Sequence, residues 1–178
     1  MKYRLILAAC LSICGHAAMA MDVAQYNALA DLTIKQAATG VAGDIDAMIA
    51  RQERLVRLGI EGSLQYLRSN PKDAAALRLT VQNAKNMMSM TLDEIEELWH
   101  QGKYLLSRGI DPEKIDHFGP LMSLMDSIIH PATSYLALKA YKQSGDPDLL
   151  ARARAELIEV VEHVRHIQPM DTATAGLH

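Results

Sequence analysis

Apolar residues recur at three- and four-residue intervals along most of the stretch from Ile45 to Val164, and no stretch alternates convincingly with period two. That spacing puts side chains on one face of an α-helix and is wrong for a half-buried strand. Ile45, Met48, Ile49, Gln52, Leu55, Val56, Gly59, Ser63, Tyr66 and Leu67 form one stripe, with Arg51, Arg54, Glu61 and Arg68 opposite. Leu77, Val81, Ala84 and Met88 form the next, then Ile95, Leu98, Trp99, Leu105 and Leu106. Leu150, Leu157, Val160, Val161 and Val164 form the last. The basic cluster Arg51, Arg54 and Arg57 falls outside its stripe and reads as a solvated face.

Capping chemistry brackets these runs. Asn70-Pro71, Asp111-Pro112 and Asp146-Pro147 each set a capping side chain before a proline suited to the first helical position. Gly43-Asp44 supplies another start, and Thr91 with Glu94 three residues on is a capping box. Gly40, Gly109 and Gly145 stand where helices should end. The expected helices lie near 22–39, 44–69, 71–89, 91–108, 112–118, 121–143 and 147–167. Short connections favour antiparallel neighbours, so the fold class is all-α. The expected architecture is an up-and-down bundle of four main helices with short extra ones, one of the main helices kinked by proline. The single Phe and single Trp, against abundant Ala, Leu, Ile and Met, agree with helix packing.

The N-terminus reads as a cleavable secretory signal over residues 1–20. Lys2 and Arg4 give a basic start, Leu5 to Cys14 an apolar run, and Ala18-Met19-Ala20 a small-x-small cleavage pattern. A run of ten residues is too short for a membrane span, which needs about 20. Leu7-Ala8-Ala9-Cys10 resembles a lipoprotein box, but cleavage there would leave too short an apolar region. Both cysteines, Cys10 and Cys14, fall in the signal, so the exported chain has no thiol and no disulfide. The expected location is the periplasm or the exterior, with residues 21–167 as one domain and 168–178 as a polar, mobile tail. A net charge of −3 with signs interspersed gives no electrostatic footprint for nucleic acid or an anionic membrane.

One helix departs from the pattern. Leu121, Met122, Met125, Ile128, Ile129, Ala132 and Leu136 line one side of it. The other side carries Ser123, Asp126, Ser127, His130, Ser134 and Ala137, almost without charge. A surface helix would show Lys, Arg or Glu there, so this segment is expected to be surrounded by other helices, its polar stripe turned inward or toward a partner. Asp126 and His130 are four apart and within reach of each other, as in carboxylate–histidine pairs that orient metal ligands. Pro131 removes the helical bond to the Ser127 carbonyl.

Beyond the expected signal, which holds His16, the histidines cluster in the second half: His100, His117, His130, His163 and His166 precede the terminal His178. His163, at the core boundary of the last helix, can join Asp126 and His130 across a helix interface together with Glu156 or Glu159. His166 and Glu162 read as a solvated pair. The candidate metal ligands are therefore Asp126, His130, His163, Glu159 and His117, for Zn, Cu or Fe. Glu97-Leu98-Trp99-His100 matches the Glu-x-x-His element of di-iron bundles, but no second copy exists, and His100 is expected on a wet face with Asp93, Glu97 and Tyr104. Met87/Met90 and Met122/Met125 offer thioethers for copper but read first as core. A b-type haem between Met48 or Met125 and His130 or His163 is a further reading. Covalent haem is excluded by the absence of Cys-x-x-Cys-His. A Ser123 or Ser127, His130, Asp126 set on a single helix lacks the convergent geometry of acyl transfer, and no other enzymatic signature is present.

The sequence thus points to an exported, soluble helical-bundle binding module in preference to an enzyme. Its ligand would be a metal ion or small molecule held by the Asp/His stripe. The alternative is a structural or interaction protein whose stripe contacts a protein partner or a second copy of the chain.

Overall fold

The computed structural model describes residues 21–40, 43–71 and 74–167. Residues 1–20 and 168–178, the expected signal and tail, lie outside the described residues. The element order is α1 (Val23–Ala37), α2 (Ile45–Ser69), α3 (Ala75–Met87), α4 (Leu92–Ile95), a π-helical turn (Glu96–His100), α5 (Lys103–Ser107), a 3-10 turn (Pro112–Lys114), α6 (Pro120–Ser144) and α7 (Pro147–Val164). Among the described residues there is no strand, and the fold is an all-α bundle.

The helices pair as a ring: α1 with α2, α2 with α6, α6 with α7, and α7 with α1; α3 leans on α2 and α6. Cross-contacts give the directions. Lys142 at the end of α6 meets Asp46 at the start of α2, while Gly59 in α2 lies against Ser127 earlier in α6. Ser134 donates to the Ala153 carbonyl, and Asp126, farther back along α6, reaches His163, farther along α7. Both pairs therefore run antiparallel, the up-and-down arrangement that the short connections favour.

Helix α6 is the axis of the molecule. From Ser123 to Ser134 every residue is buried, which explains why this helix carries no charged face. Two other features of the sequence are resolved against it. Pro131 has no N–H to give the Ser127 carbonyl, and the fully buried Tyr26 donates its hydroxyl to that carbonyl at 3.0 Å. Gly59 stands opposite the same residue: a Cβ there would lie 2.5 Å from the Ser127 carbonyl oxygen. The glycine inside α2, a cost of about 1 kcal/mol in helix propensity, lets two backbones meet at the proline turn.

Several boundaries and faces differ from expectation. Asp44, Asp146 and Thr91/Glu94 cap as anticipated, but Asn70 ends α2 instead of starting α3, which begins at Ala75. The buried face of α3 is Ala76, Leu77, Thr80, Ala84 and Met87, so its stripe is rotated and Met88 is only half-buried. Residues 91–108 do not form one helix. Gly102, at φ 70°, takes a left-handed conformation that side-chain-bearing residues avoid, and divides the segment. Past this break Leu105 is buried, but Leu106 is 53 % exposed. Residues 112–118 contribute only a short 3-10 turn. Arg51 is half-buried instead of fully solvated: its Nε donates to Thr33 at 3.0 Å and its guanidinium also reaches Gln36, tying α2 to α1. Among the described residues no helix is long and apolar enough to cross a membrane.

Candidate metal centre

Asp126 and His130 sit one turn apart on the buried face of α6. His163 occupies the matching level of α7, and the two-residue connection at Gly145-Asp146 folds α7 back against α6. Asp126, His130 and His163 are 7 %, 4 % and 8 % exposed. His163 Nδ1 lies 2.5 Å from Asp126 Oδ2, and His130 Nε2 lies 3.9 Å from Asp126 Oδ1. One ligand atom from each of the three residues falls within 4.8 Å of the others. The opposite ring nitrogen of His130, Nδ1, is 2.9 Å from Glu156 Oε2. A carboxylate on the far nitrogen fixes the ring and its tautomer, the arrangement found behind metal-bound histidines.

A second group of potential ligands adjoins the first. His100, His130 and Glu156 also bring ligand atoms within 4.8 Å of one another. His100 Nε2 is 2.9 Å from Thr133 Oγ1 and 3.7 Å from Glu156 Oε2, and its ring meets that of His130 edge-on at 5.0 Å. The expectation that His100 lies on a wet face is therefore wrong. Residues 96–100 form a π-helical turn, whose i→i+5 bonds widen the turn and turn each residue less than the α-helical spacing assumes. Glu97 does stay outside, exposed and paired with Lys103 at 2.7 Å, so the Glu-x-x-His element supplies its histidine alone.

The other candidate ligands take peripheral places. His117, in the exposed turn before α6, presents its ring edge-on to His163 at 5.0 Å. Glu159 is exposed, lines the same cavity, and acts on His130 and His163 through its charge. Neither joins the two close groups. Ser123 and Ser127 direct their hydroxyls to the carbonyls of Gly119 and Leu124, at 3.0 and 2.7 Å. They are thus engaged within their own helix, and no Ser–His–Asp relay is assembled.

A cavity of about 170 Å³ opens beside the cluster, lined by Asp126, His130, His163, His100, Trp99 and Met125 among others. This is well below the roughly 300–1,000 Å³ of sites for larger organic ligands, and too small for haem. Met48, one suggested axial ligand, belongs to a separate core cluster with Leu138 and Leu150. The buried indole N–H of Trp99, a residue that also lines this cavity, has no hydrogen-bond partner among the described residues. His100 and Pro112 also line a neighbouring cavity of about 310 Å³.

The electrostatics follow from the carboxylates. Burial alone would lower the His130 pKa. The hydrogen bond to Glu156 and the charges of Asp126, Glu156 and Glu159 outweigh it and hold the pKa above the ordinary histidine value. His163 is raised chiefly by its hydrogen bond to Asp126, against the effect of burial. In His100 burial wins over the attraction of Glu156, and the pKa falls. Burial, aided by Asp126, pushes Tyr26 well above its usual value and keeps it a donor to Ser127. Such a group of acids offers a cation a negative potential in a low-dielectric setting.

The chain matches no known family, no curated protein and no solved structure.

Proposed function

We propose that this protein is an exported helical-bundle module that binds a divalent first-row transition-metal ion between α6 and α7, through Asp126, His130 and His163. The observation that carries the reading is the convergence of two imidazoles and one carboxylate from two helices, within 4.8 Å and nearly sealed from solvent. Glu156 on the far nitrogen of His130 supports it. Ligand distances near 2.0–2.2 Å need only a modest inward movement of such groups. Two histidines and a carboxylate suit Zn(II), Cu(II) or Fe(II), and three protein ligands leave a coordination position open. The adjoining cavity offers room for a small ligand on the ion. The N-terminal pattern and the confinement of cysteine to Cys10 and Cys14 support export.

A second reading has its own observation. Asp126–His163 and Glu156–His130 already form two close acid–histidine pairs, so the cluster can serve as a buried polar network that fixes how α6 and α7 pack, in a structural or partner-binding module. Titration of chelator-treated, untagged protein with Zn(II) or Co(II) separates the two. Metal binding predicts a tight first equivalent in wild type, its loss in Asp126→Asn, and roughly 10- to 100-fold weakening of that step in Glu156→Gln, which removes the charge behind His130. Equal uptake by wild type and Asp126→Asn would end the metal reading in favour of the packing network.

A further inference from the structure

The two ligand groups share one residue and use its two edges. His130 turns Nε2 toward Asp126 and Nδ1 toward Glu156. Asp126 thus stands beside one ring nitrogen and Glu156 beside the other, and each carboxylate also reaches a second histidine, Asp126 to His163 and Glu156 to His100. Building on the metal site proposed above, we infer that the cluster is a two-ion centre in which the His130 ring bridges a deep ion, held by Asp126 and His163, and an outer ion, held by Glu156 and His100.

The chemistry balances without a co-reactant. A neutral imidazole has one lone pair and one N–H. When the first ion takes the Nε2 lone pair, the Nδ1 proton is held by Glu156. A second ion displaces that proton to solvent and takes the freed lone pair, leaving the ring as an imidazolate bound at both nitrogens. Metal ions drive such proton release whenever ligands must be deprotonated. The two carboxylates and the imidazolate then offset three of the four positive charges, a tolerable balance for a half-buried centre.

The surroundings distinguish the two positions. The deep ligands are all buried, whereas His100 and Glu156 are partly exposed, and His100 borders the outer 310 Å³ cavity. The outer position therefore has its own route for an ion and for water. Arg152 also bears on it, with Nε 3.9 Å from Glu156 Oε1 and Nη2 3.1 Å from Glu96 Oε2. The guanidinium stands on the Oε1 side of Glu156 and leaves Oε2 for the ion. Its charge opposes a second cation, so the outer site fills after the deep one, and Arg152→Gln should tighten the second step alone.

The test is a titration of the chelator-treated full chain with Cu(II), followed by electron paramagnetic resonance and metal analysis. The first equivalent should give a mononuclear signal. The second should bind and make that signal fall, because two Cu(II) ions on one imidazolate couple antiferromagnetically. His100→Ala should stop at one equivalent with the signal intact; His100→Gln serves if circular dichroism shows the alanine variant misfolded. Two equivalents with a doubled signal would overturn the bridge. Saturation at one equivalent in both wild type and the His100 variant would overturn the outer site while leaving the deep site standing. Absence of any tight binding would overturn the metal reading itself.

Discussion

Replacing Tyr26 by Phe removes one oxygen from a fully buried side chain and leaves the Ser127 carbonyl without the hydroxyl it accepts from at 3.0 Å. In an ordinary helix the amide four residues on would still satisfy that carbonyl, but here it is Pro131. The carbonyl is orphaned in the core, at a cost of about 1–3 kcal/mol. Restoring an N–H with Pro131→Ala changes the arithmetic, because residue 131 can then donate to Ser127. In that background Tyr26→Phe should cost only the net value of one ordinary hydrogen bond, about 0.5–1.5 kcal/mol. The double-mutant cycle should therefore show a coupling near 1 kcal/mol, above the roughly 0.3–0.5 kcal/mol expected of independent sites. Urea unfolding of the four metal-free proteins, followed by far-ultraviolet circular dichroism, measures it. The cycle cancels the other consequences of removing proline, such as lost ring burial and gained helix propensity. If Tyr26→Phe costs the same with and without Pro131, the account of this turn is wrong.

Three further outcomes follow from the same geometry. The raised pKa values of His130 and His163 contribute stability that is complete below the unfolded-state value of about 6.5. It is lost as pH rises through their folded values, so the metal-free protein should weaken to urea from about pH 6.5 upward. His100 acts in the opposite sense: its lowered value gives a contribution present above about 6.5 and lost as pH falls through its folded value. A flat profile above 6.5 would contradict these assignments. Zn(II) affinity should rise over the same window, because bound imidazole must be deprotonated; titrations at stepped pH check it, and a pH-independent affinity would refute it. Gly59→Ala should destabilise despite about 1 kcal/mol of helix propensity gained. Its Cβ meets the Ser127 oxygen at 2.5 Å and Ile128 Cγ1 at 2.9 Å, an overpacking that costs roughly 1–3 kcal/mol. A raised melting temperature in that variant would refute the close approach.

Periodicity made the bundle readable because a buried helix face repeats with the geometry of the helix itself. The absence of charge opposite the apolar side of residues 121–138 identified the central helix, and the Ser127 carbonyl freed by Pro131 was visible as a consequence of proline chemistry. That Tyr26 would supply the missing donor was not, since it lies about a hundred residues away and depends on how α1 docks. Asp126 and His130 were legible as neighbours on one helix, and His163 could be joined to them because it stood at the boundary of an apolar stripe. His100 was missed for a definite reason. A rotation of 100° per residue misplaces side chains once a π-helical turn intervenes, and the capping box at Thr91 gives no hint of the wider turn beginning at Glu96. Sequence alone leaves Glu156 and Glu159 as alternatives, because both border the same stripe and the angle at which α7 meets α6 decides between them. The place of Gly59 against Ser127 depends on how α2 docks on α6 and has no signature in the sequence of α2.

The central claim rests on an ion between α6 and α7. The most direct measurement is a crystal structure of the metal-saturated protein, with anomalous diffraction collected on both sides of the metal absorption edge. The account predicts an anomalous peak about 2.0–2.2 Å from an oxygen of Asp126 and from a ring nitrogen each of His130 and His163. Saturated crystals whose anomalous peaks all lie on surface side chains, with the Asp126–His163 and Glu156–His130 pairs closed and no ion between them, would contradict it.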